Sequence, residues 1–340
     1  MNTTTFAKAA LVSAAFAAAV IAHFLAHAAP AAEPPASEGA FQWVETPGES
    51  IELRQGERPV VRYMCAPYDD SSKERRDATY KVFHHVFSPD GSRLLTKGDP
   101  GGLYPHHRGL FYGFNKVTYG DGKTCDIWHC QGQTRQEHAS TVRQDADEDS
   151  GSHVVAIDWH GRDGEVFARE ERGVAAHALP GGMQIDFTSR VETADGQPIH
   201  VDGDPQHAGF HFRAAQEVAA STAAQTYYLR TDGKGAPRET RNWEPGKPAD
   251  DPKNAECENR PWNALSIVVG GQRYTVLYLD HPDNPKPARY SERDYGRFGS
   301  YFAADITAEQ PLEVRYRVWV QEGEMTVDQC TAMHEAFAGT

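Results

Sequence analysis

The feature that most constrains the fold is an alternation of apolar and polar residues with a period of two. The segment "LEVRYRVWVQ", residues 312–321, shows it most clearly. One face carries Leu312, Val314, Tyr316, Val318 and Val320, and the other carries Glu313, Arg315, Arg317 and Gln321. Successive side chains of a strand point to opposite faces of a sheet, so this pattern predicts a half-buried antiparallel strand.

Comparable runs recur along the chain and are separated by turn-forming sequences. The runs are residues 154–160, 166–176, 183–192, 227–230, 264–269 and 274–279. The turns between strands include Pro89-Asp90-Gly91, Ala194-Asp195-Gly196 and Gly270-Gly271, which are typical hairpin sequences. Residues 237–259 are rich in Pro and polar residues, and they predict a long loop of the kind that often carries function.

Only the end of the chain indicates a helix. Thr326 is an expected N-cap, and Val327, Cys330, Met333 and Phe337 form an apolar face before Gly339. The predicted fold is therefore all-β, a large antiparallel β-sandwich with a short C-terminal helix. A mutarotase-like super-sandwich is the candidate type.

The first 32 residues predict a secretory signal peptide. Lys8 precedes an apolar stretch at residues 9–22, and Ala-x-Ala sequences follow at 26–28 and 29–31, as in cleaved leaders. The alternative is an uncleaved anchor. Residues 33–40 predict a flexible linker, and residues 41–340 a single β-sandwich domain. The expected location is periplasmic or secreted, in a bacterium.

The net charge narrows the classes of partner that the chain can bind. A formal net charge of -14 argues against nucleic acid and anionic membrane surfaces. No segment after the leader has the roughly 20 apolar residues of a membrane span.

An oxidising compartment would allow up to two disulfides among Cys65, Cys125, Cys130, Cys257 and Cys330, and the pairing is not determined. The oligomeric state is not determined either.

The segment "DPQHAGFHFRAA", residues 204–215, is the clearest candidate for a site. As a strand it would place Ala208, Phe210, Phe212 and Ala214 on a core face, and His207, Gly209, His211 and Arg213 on the opposite face. Gly209 would remove bulk at a point where another group could approach closely. The alternative is a solvated strand face, although such a face more often carries Thr, Lys, Glu or Ser.

A second candidate is "YPHHRGLFYGF", residues 104–114. Pro105 implies an extended or turn entry, so His106, His107 and Arg108 are expected at the end of a strand, at the rim of a sheet. Neither face of this segment is uniformly polar. By alternation alone it is either a reactive site or a pair of ordinary histidines beside a core.

Histidine suits two kinds of chemistry at such a site. Its near-neutral pKa allows proton transfer, and its ring nitrogen is a good metal ligand. A three-histidine site for a divalent metal could form in space, but no H-E-x-x-H spacing supports one. The chain also lacks the G-x-S-x-G elbow, the P-loop and the dinucleotide fingerprint.

Nine short motifs, taken in order, resemble those of the PmoA-like family of exported bacterial proteins, which carries the label methane oxygenase. They are "FHHVFSPDG", "PHHRGLF", "CDIWH", "REERG", "DFTSR", "GFHFR", "RPW", "LDHPDNP" and "RDYGRF". The resemblance covers residues 63–320. It implies an exported β-sandwich associated with sugar degradation, and therefore a carbohydrate substrate. The family pattern typically has Lys-Glu-Gly where this chain has Gln206-His207-Ala208. Either His207 replaces that glutamate, or this chain acts on a different substrate from its relatives.

The resulting prediction is an exported carbohydrate-active enzyme, a glycosidic lyase or hydrolase that uses His/Glu acid–base chemistry and arginine clamps. The predicted catalytic residues are His106, His107, His207 and Glu171, with Tyr112 or Tyr295 as the tyrosine of an elimination. The predicted substrate-binding residues are Arg108, His211, Arg213, Trp128, His129, His281, Arg293 and Tyr295. A non-catalytic carbohydrate-binding module, a sugar epimerase or mutarotase, and a structural protein are the alternatives.

Overall fold

The alternating segments form antiparallel sheets in a computed structural model that describes residues 39–98, 101–248 and 250–340. The predicted signal peptide and most of the predicted linker lie outside the described residues. The first eleven strands are β1 (Phe41–Thr46), β2 (Ser50–Gln55), β3 (Arg58–Met64), β4 (Phe83–Val86), β5 (Leu110–Phe114), β6 (Lys116–Tyr119), β7 (Lys123–Cys125), β8 (Arg135–Ala146), β9 (Ser150–His160), β10 (Val166–Leu179) and β11 (Gly182–Thr193). The others are β12 (Ile199–Asp202), β13 (Ala208–Arg213), β14 (Tyr227–Arg230), β15 (Gly233–Lys234), β16 (Trp262–Val269), β17 (Gln272–Asp280), β18 (Arg289–Arg293), β19 (Arg297–Tyr301), β20 (Ala304–Ile306) and β21 (Leu312–Glu322).

Two large sheets form the sandwich, and every strand pair is antiparallel. One sheet has the order β1-β2-β3-β4-β5-β13-β19-β18, and the other has the order β15-β14-β16-β17-β21-β11-β10-β9-β8. A smaller sheet has the order β20-β12-β6-β7. The predicted antiparallel β-sandwich is confirmed, and so is each strand expected from alternation.

The core lies between the two large sheets and is rich in aromatic residues. Phe210 of β13 stacks on Phe187 of β11 with ring centroids 4.2 Å apart, and on Tyr316 of β21 at 4.8 Å. Ala208, Phe212 and Ala214 lie in the same core, so the apolar face predicted for residues 204–215 is confirmed. Each buried aromatic ring contributes a large apolar area to this packing.

In the described part of the chain, three short α-helices accompany the strands: α1 (Lys73–Thr79), α2 (Pro252–Ala255) and α3 (Val327–Ala338). A π-helical turn, Val218–Thr222, and a 3-10 turn, Ala223–Gln225, follow β13. In α3 Thr326 caps the N-terminus in a capping box with Gln329, as expected of Thr326. The buried side of α3 packs on the outer face of the nine-stranded sheet, where Cys330 and Phe337 join Trp262 and Trp319.

The five cysteines all lie in the described part of the chain, and none of them forms a disulfide there. None of the helices within the described residues has the length and apolar content that a bilayer span requires.

Candidate functional site

The candidate site lies on the outer face of the eight-stranded sheet, where β5 and β13 pair. His211 of β13 is opposite Phe111 of β5 and opposite Gly299 of β19. Because Phe210 and Phe212 point into the core, His211 and Arg213 point to the opposite face. The two histidine-containing segments singled out in the sequence therefore meet in space.

Two glycines allow neighbouring strands of this sheet to approach each other closely. Gly109 has φ +41, and a Cβ there would lie 2.2 Å from the backbone oxygen of His84. Gly209 has φ +84, and a Cβ there would lie 2.0 Å from the backbone oxygen of Ser300. The close approach expected at Gly209 is made by the backbone of the neighbouring strand β19.

Four histidine rings converge above this face, and we refer to His106, His107, His129 and His207 as the histidine cluster. The ring centroid of His106 lies 4.3 Å from that of His107, 4.7 Å from that of His129 and 5.3 Å from that of His207. His107 and His207 stack at 5.2 Å, and His129 lies 4.6 Å from His207. Contrary to expectation, His106 and His107 belong to a turn, since β5 begins only at Leu110.

Two aspartates fix the orientation of two of these rings. The Nδ1–H of His129 donates to Asp126 at 2.7 Å, and the Nδ1–H of His207 donates to Asp204 at 3.0 Å. The neutral form of each ring then has its lone pair on Nε2. Both pairs have the spacing Asp-x-x-His, in "DIWH" and "DPQH". This repeated spacing was the sequence signal by which Asp126 and Asp204 could have been found.

The electrostatic environment keeps His106 and His107 neutral. Burial, followed by the charges of His129 and Lys81, lowers the pKa of His106 from 6.5 to about 3. Burial and then Arg297 lower the pKa of His107 well below its ordinary value. Burial alone would raise the pKa of Asp204, but hydrogen bonds, led by that from His207, hold it below its ordinary value. A neutral imidazole is the form that binds metal ions.

Several buried polar atoms in the site have no protein partner. Within the described residues, Nε2 of His106, Nδ1 of His107, both ring nitrogens of His211 and Nε1 of Trp128 take part in no hydrogen bond. Buried polar groups are nearly always hydrogen-bonded. A concentration of such atoms at one place therefore indicates a binding site.

Lys81, which the sequence did not single out, holds the site loops together. Its buried Nζ donates to the backbone oxygen of His106 at 3.0 Å and to that of Trp128. Burial, the dominant cause, lowers the pKa of Lys81 from 10.5 to about 7. Helix α1 contributes from the same side, since Arg76 donates to the backbone oxygens of Cys130 and Gly132.

Trp128 and His211 form the floor of the histidine cluster. Their ring centroids are 4.9 Å apart, and Trp128 lies 5.7 Å from the ring of His107. Only 1% of Trp128 and 2% of His211 is exposed to solvent. These two predicted substrate-binding residues therefore support the cluster from below.

Three more of the predicted residues lie beside the cluster. Arg213 is on β13, Arg293 is on β18, and Tyr295 is in the turn between β18 and β19. The guanidinium of Arg213 is 4.8 Å from the ring centroid of Tyr295, which in turn is 4.8 Å from that of Tyr104. Arg293 lines a groove of about 390 Å³ together with His207, Asn242 and Trp243. Asn242 and Trp243 come from the loop predicted at residues 237–259.

The remaining predicted residues are elsewhere, and their assignment to the site is corrected. Glu171 is exposed on β10 of the other sheet and lines a groove with Arg190 and Arg315. The side chain of Arg108 donates to the backbone oxygens of Pro105 and Asp77, so it anchors the site loop to α1.

His281 and Tyr112 are also outside the site. His281 packs against Phe337 of α3 with ring centroids 5.1 Å apart. Tyr112 points into the core, where its ring lies 6.0 Å from that of Phe187. Alternation and motif order could not reveal the placement of Glu171 or His281, because neither feature determines which sheet a strand joins.

The histidine cluster is able to hold a metal ion. His106, His107 and His207 each contribute one ring nitrogen, and these three nitrogens all lie within 4.8 Å of one another. Zn²⁺ binds histidine nitrogen at about 2.0–2.1 Å, and catalytic zinc sites commonly have three protein ligands. The Asp204–His207 pair also matches the carboxylate–histidine pattern that orients metal ligands.

Comparison with known families and curated proteins gives one match. A family model described as "Family of unknown function (DUF6807)" matches residues 50–335. No curated protein matches the sequence.

Several solved structures are distantly similar. A galactose mutarotase-like protein from Clostridium acetobutylicum is 8% identical, with a TM-score of 0.41, over 85% of this chain and 100% of that chain. A galactose mutarotase related enzyme from Lactobacillus acidophilus is 10% identical, with a TM-score of 0.34, over 84% of this chain and 98% of that one. The GH36 α-galactosidase AgaA from Geobacillus stearothermophilus, in complex with raffinose, is 10% identical, with a TM-score of 0.34, over 84% of this chain. This chain spans 41% of that enzyme, and similarities this weak assign no site and no activity.

Proposed function

The chain belongs to the DUF6807 family of unknown function, and we propose that it is a metal-dependent carbohydrate-active enzyme that cleaves or rearranges a sugar at the histidine cluster. The observation that carries this proposal is the convergence of His106, His107 and His207 from two separate segments of the chain. Nitrogen donors held this close together, with one of them oriented by a carboxylate, are typical of transition-metal sites.

A carbohydrate substrate is supported by the groove that reaches His207. The groove has a volume of about 390 Å³ and combines the indole of Trp243 with the polar groups of Asn242, Ser291 and Arg293. An aromatic ring offers stacking area to the apolar face of a sugar, and polar groups beside it bind the hydroxyls. The resemblance of the sequence motifs to a sugar-associated family agrees with this substrate class.

The residues of the site divide into three roles. His106, His107 and His207 would hold the metal, and a bound divalent ion would supply Lewis-acid activation of water or of a sugar oxygen. Asp204 positions His207, and Lys81 positions the loops of His106 and Trp128. His129, whose Nδ1–H is held by Asp126, presents Nε2 as a hydrogen-bonding group for a substrate hydroxyl.

The His/Glu pair expected from the sequence has no place in this proposal, because Glu171 lies on the other sheet. The proposal therefore leaves hydrolysis, elimination and epimerisation to be distinguished by their products.

The first test measures metal content. Elemental analysis of the purified protein, and titration of chelator-treated protein with Zn²⁺, are expected to give about one ion per chain. His107→Ala and His207→Ala should each lose most of this binding. His200→Ala is the matched control, since His200 is an exposed histidine paired with Asp305 on the small sheet. Equal metal binding by all four proteins would refute the metal centre.

The second test incubates the protein with a panel of oligosaccharides, with and without chelator, and analyses the products by mass. A gain of water indicates hydrolysis, an unsaturated product indicates elimination, and an unchanged mass with a new stereoisomer indicates epimerisation. Activity should disappear with chelator and in His207→Ala. Sugar binding without any product, unaffected by His107→Ala, would instead identify a non-catalytic binding module.

A further inference from the structure

A row of three arginines crosses the outer face of the eight-stranded sheet beside the histidine cluster. Arg213 of β13 is directly opposite Arg297 of β19, and Arg297 is directly opposite Arg293 of β18. Residues directly opposite one another in an antiparallel pair lie on the same face, and like charges in that arrangement repel. We refer to these three residues as the arginine row.

No carboxylate of the described residues pairs with the arginine row. Among the ion pairs of the described residues, none includes Arg213, Arg293 or Arg297. Their protein partners are neutral. Arg213 donates to the backbone oxygen of Tyr295 at 2.9 Å, Arg297 to Ser291 Oγ at 3.1 Å, and Arg293 to Asn242 Oδ1 at 2.6 Å.

This arrangement differs from that of two other buried arginines, Arg172 and Arg260, which pair with carboxylates. Arg172 donates to Glu170 at 2.8 Å, and Arg260 donates to Glu292 at 2.8 Å. Arg297 is fully buried and Arg213 is 1% exposed, yet the Nε atoms of both make no hydrogen bond within the described residues. A buried charge without a counter-charge is costly, so the arginine row is suited to an anion that arrives with the substrate.

The groove next to the histidine cluster gives such an anion access. Arg293 is half-buried and lines the groove with His207 and Trp243. Two carboxylates also line it, but each already has partners. Asp204 accepts from His207 and Asn115, and Glu244 pairs with Lys247 at 2.6 Å.

We propose that the arginine row is the subsite for the oxyanion of an acidic sugar, such as a uronic acid, whose ring lies in the groove beside the histidine cluster. The substrate class rests on the carbohydrate function proposed above. Planar guanidinium groups bind a carboxylate through two parallel hydrogen bonds. A sulfate ester presents similar oxygens, so the experiment includes both anions.

The test is calorimetric titration with four probes: methyl glucuronide, methyl galacturonide, a sulfated methyl glucoside and neutral methyl glucoside. At least one anionic probe should bind about tenfold or more tightly than the neutral probe. The tighter anion identifies the natural group as a carboxylate or a sulfate. Arg293→Gln should lose about tenfold in affinity for that anion, a larger loss than its loss for neutral methyl glucoside.

Arg190→Gln is the matched control. It removes the same charge from a half-buried arginine of the other sheet that pairs with Glu192 and Glu313, and it should bind every probe as the parent protein does. Arg293→Lys checks for a folding defect, since it keeps the positive charge and should retain part of the anion preference. Thermal melts of each variant establish that it is folded.

The proposal is overturned if anionic and neutral probes bind alike, or if Arg293→Gln and Arg190→Gln have the same effect. Its failure is distinguishable from failure of the metal centre. The titrations are run on chelator-treated and on Zn²⁺-loaded protein, and the anion preference is expected in both. A metal centre without anion preference would refute only the arginine row, and an anion preference without metal binding would refute only the metal centre.

Discussion

At the scale of single residues, the pair of Asp-x-x-His units explains how a turn fixes the orientation of an imidazole ring. In both units the aspartate accepts backbone N–H bonds as well as the imidazole bond: Asp126 from Trp128 and His129, and Asp204 from Gln206. The aspartate therefore fixes the turn and the ring together. The repetition of this device on two sides of one cluster indicates that ring orientation matters there.

Asp204→Asn tests this positioning role. The amide keeps the size of the side chain but removes the charge that orients His207, so we expect Zn²⁺ affinity to fall by about 10- to 100-fold. Competition with a chromogenic chelator measures it. Asp195→Asn is the control, because Asp195 also accepts a backbone N–H in a turn, from Gln197, but is exposed and does not line the groove. A change of less than about twofold in Asp204→Asn would contradict the positioning role.

The residue scale also shows how far sequence reasoning reaches. Alternation placed His211 and Arg213 on the other face of the strand from Phe210 and Phe212, since a period of two depends only on local backbone geometry. It did not reveal that Arg297 completes a row with Arg213, because strand pairing is a long-range property. Nor did it exclude Glu171, whose motif matches but whose strand belongs to the other sheet.

At the scale of elements, the pairing of β13 with β5 and β19 creates the site, and Gly209 permits the close approach of β13 to β19. A side chain at Gly209 would meet a backbone oxygen, which has no freedom to move away. The strands with clear alternation were predictable, because alternation depends only on local backbone geometry. Helix α1 was not, since its sequence "KERRDAT" has no apolar period, yet α1 supplies the Arg76 contacts that hold the site loop.

Gly209→Ala is expected to destabilise the fold by more than about 3 kcal/mol, because the strain of a positive φ adds to a backbone clash. The matched control is Gly181→Ala in the turn between β10 and β11. Gly181 also has a positive φ, +94, but a Cβ there meets nothing within 4 Å, so the control should lose only about 1–2 kcal/mol. Urea denaturation measures both. Equal losses would show that the close approach to Ser300 is unimportant.

At the scale of the whole molecule, a buried histidine pair links the two large sheets. Nε2 of His84 on β4 lies 3.0 Å from Nε2 of His153 on β9. Burial, followed by the charges of His138 and Arg172, lowers the pKa of His153 from 6.5 to about 3, and burial lowers that of His84 well below its ordinary value. The folded sandwich therefore requires both rings to be neutral.

This pair makes stability depend on pH. Between about pH 6.5 and pH 3 the unfolded chain binds more protons than the folded one, so stability that is complete above pH 6.5 is lost as the pH falls. Each such histidine contributes up to about 1.4 kcal/mol per pH unit. Urea denaturation from pH 7.5 downward measures how the free energy of unfolding changes with pH. This free energy should fall less steeply with pH in His153→Gln than in the parent, with His200→Gln as the control. An unchanged slope in His153→Gln would contradict this account.

The central claim is that His106, His107 and His207 form one metal centre, and anomalous X-ray diffraction from crystals of the Zn²⁺-loaded protein tests it most directly. The expected result is a zinc peak about 2.0–2.1 Å from one nitrogen of each of the three histidines, with Asp204 still hydrogen-bonded to His207. A histidine cluster without a zinc peak, in crystals that carry zinc elsewhere on the chain, would contradict the claim.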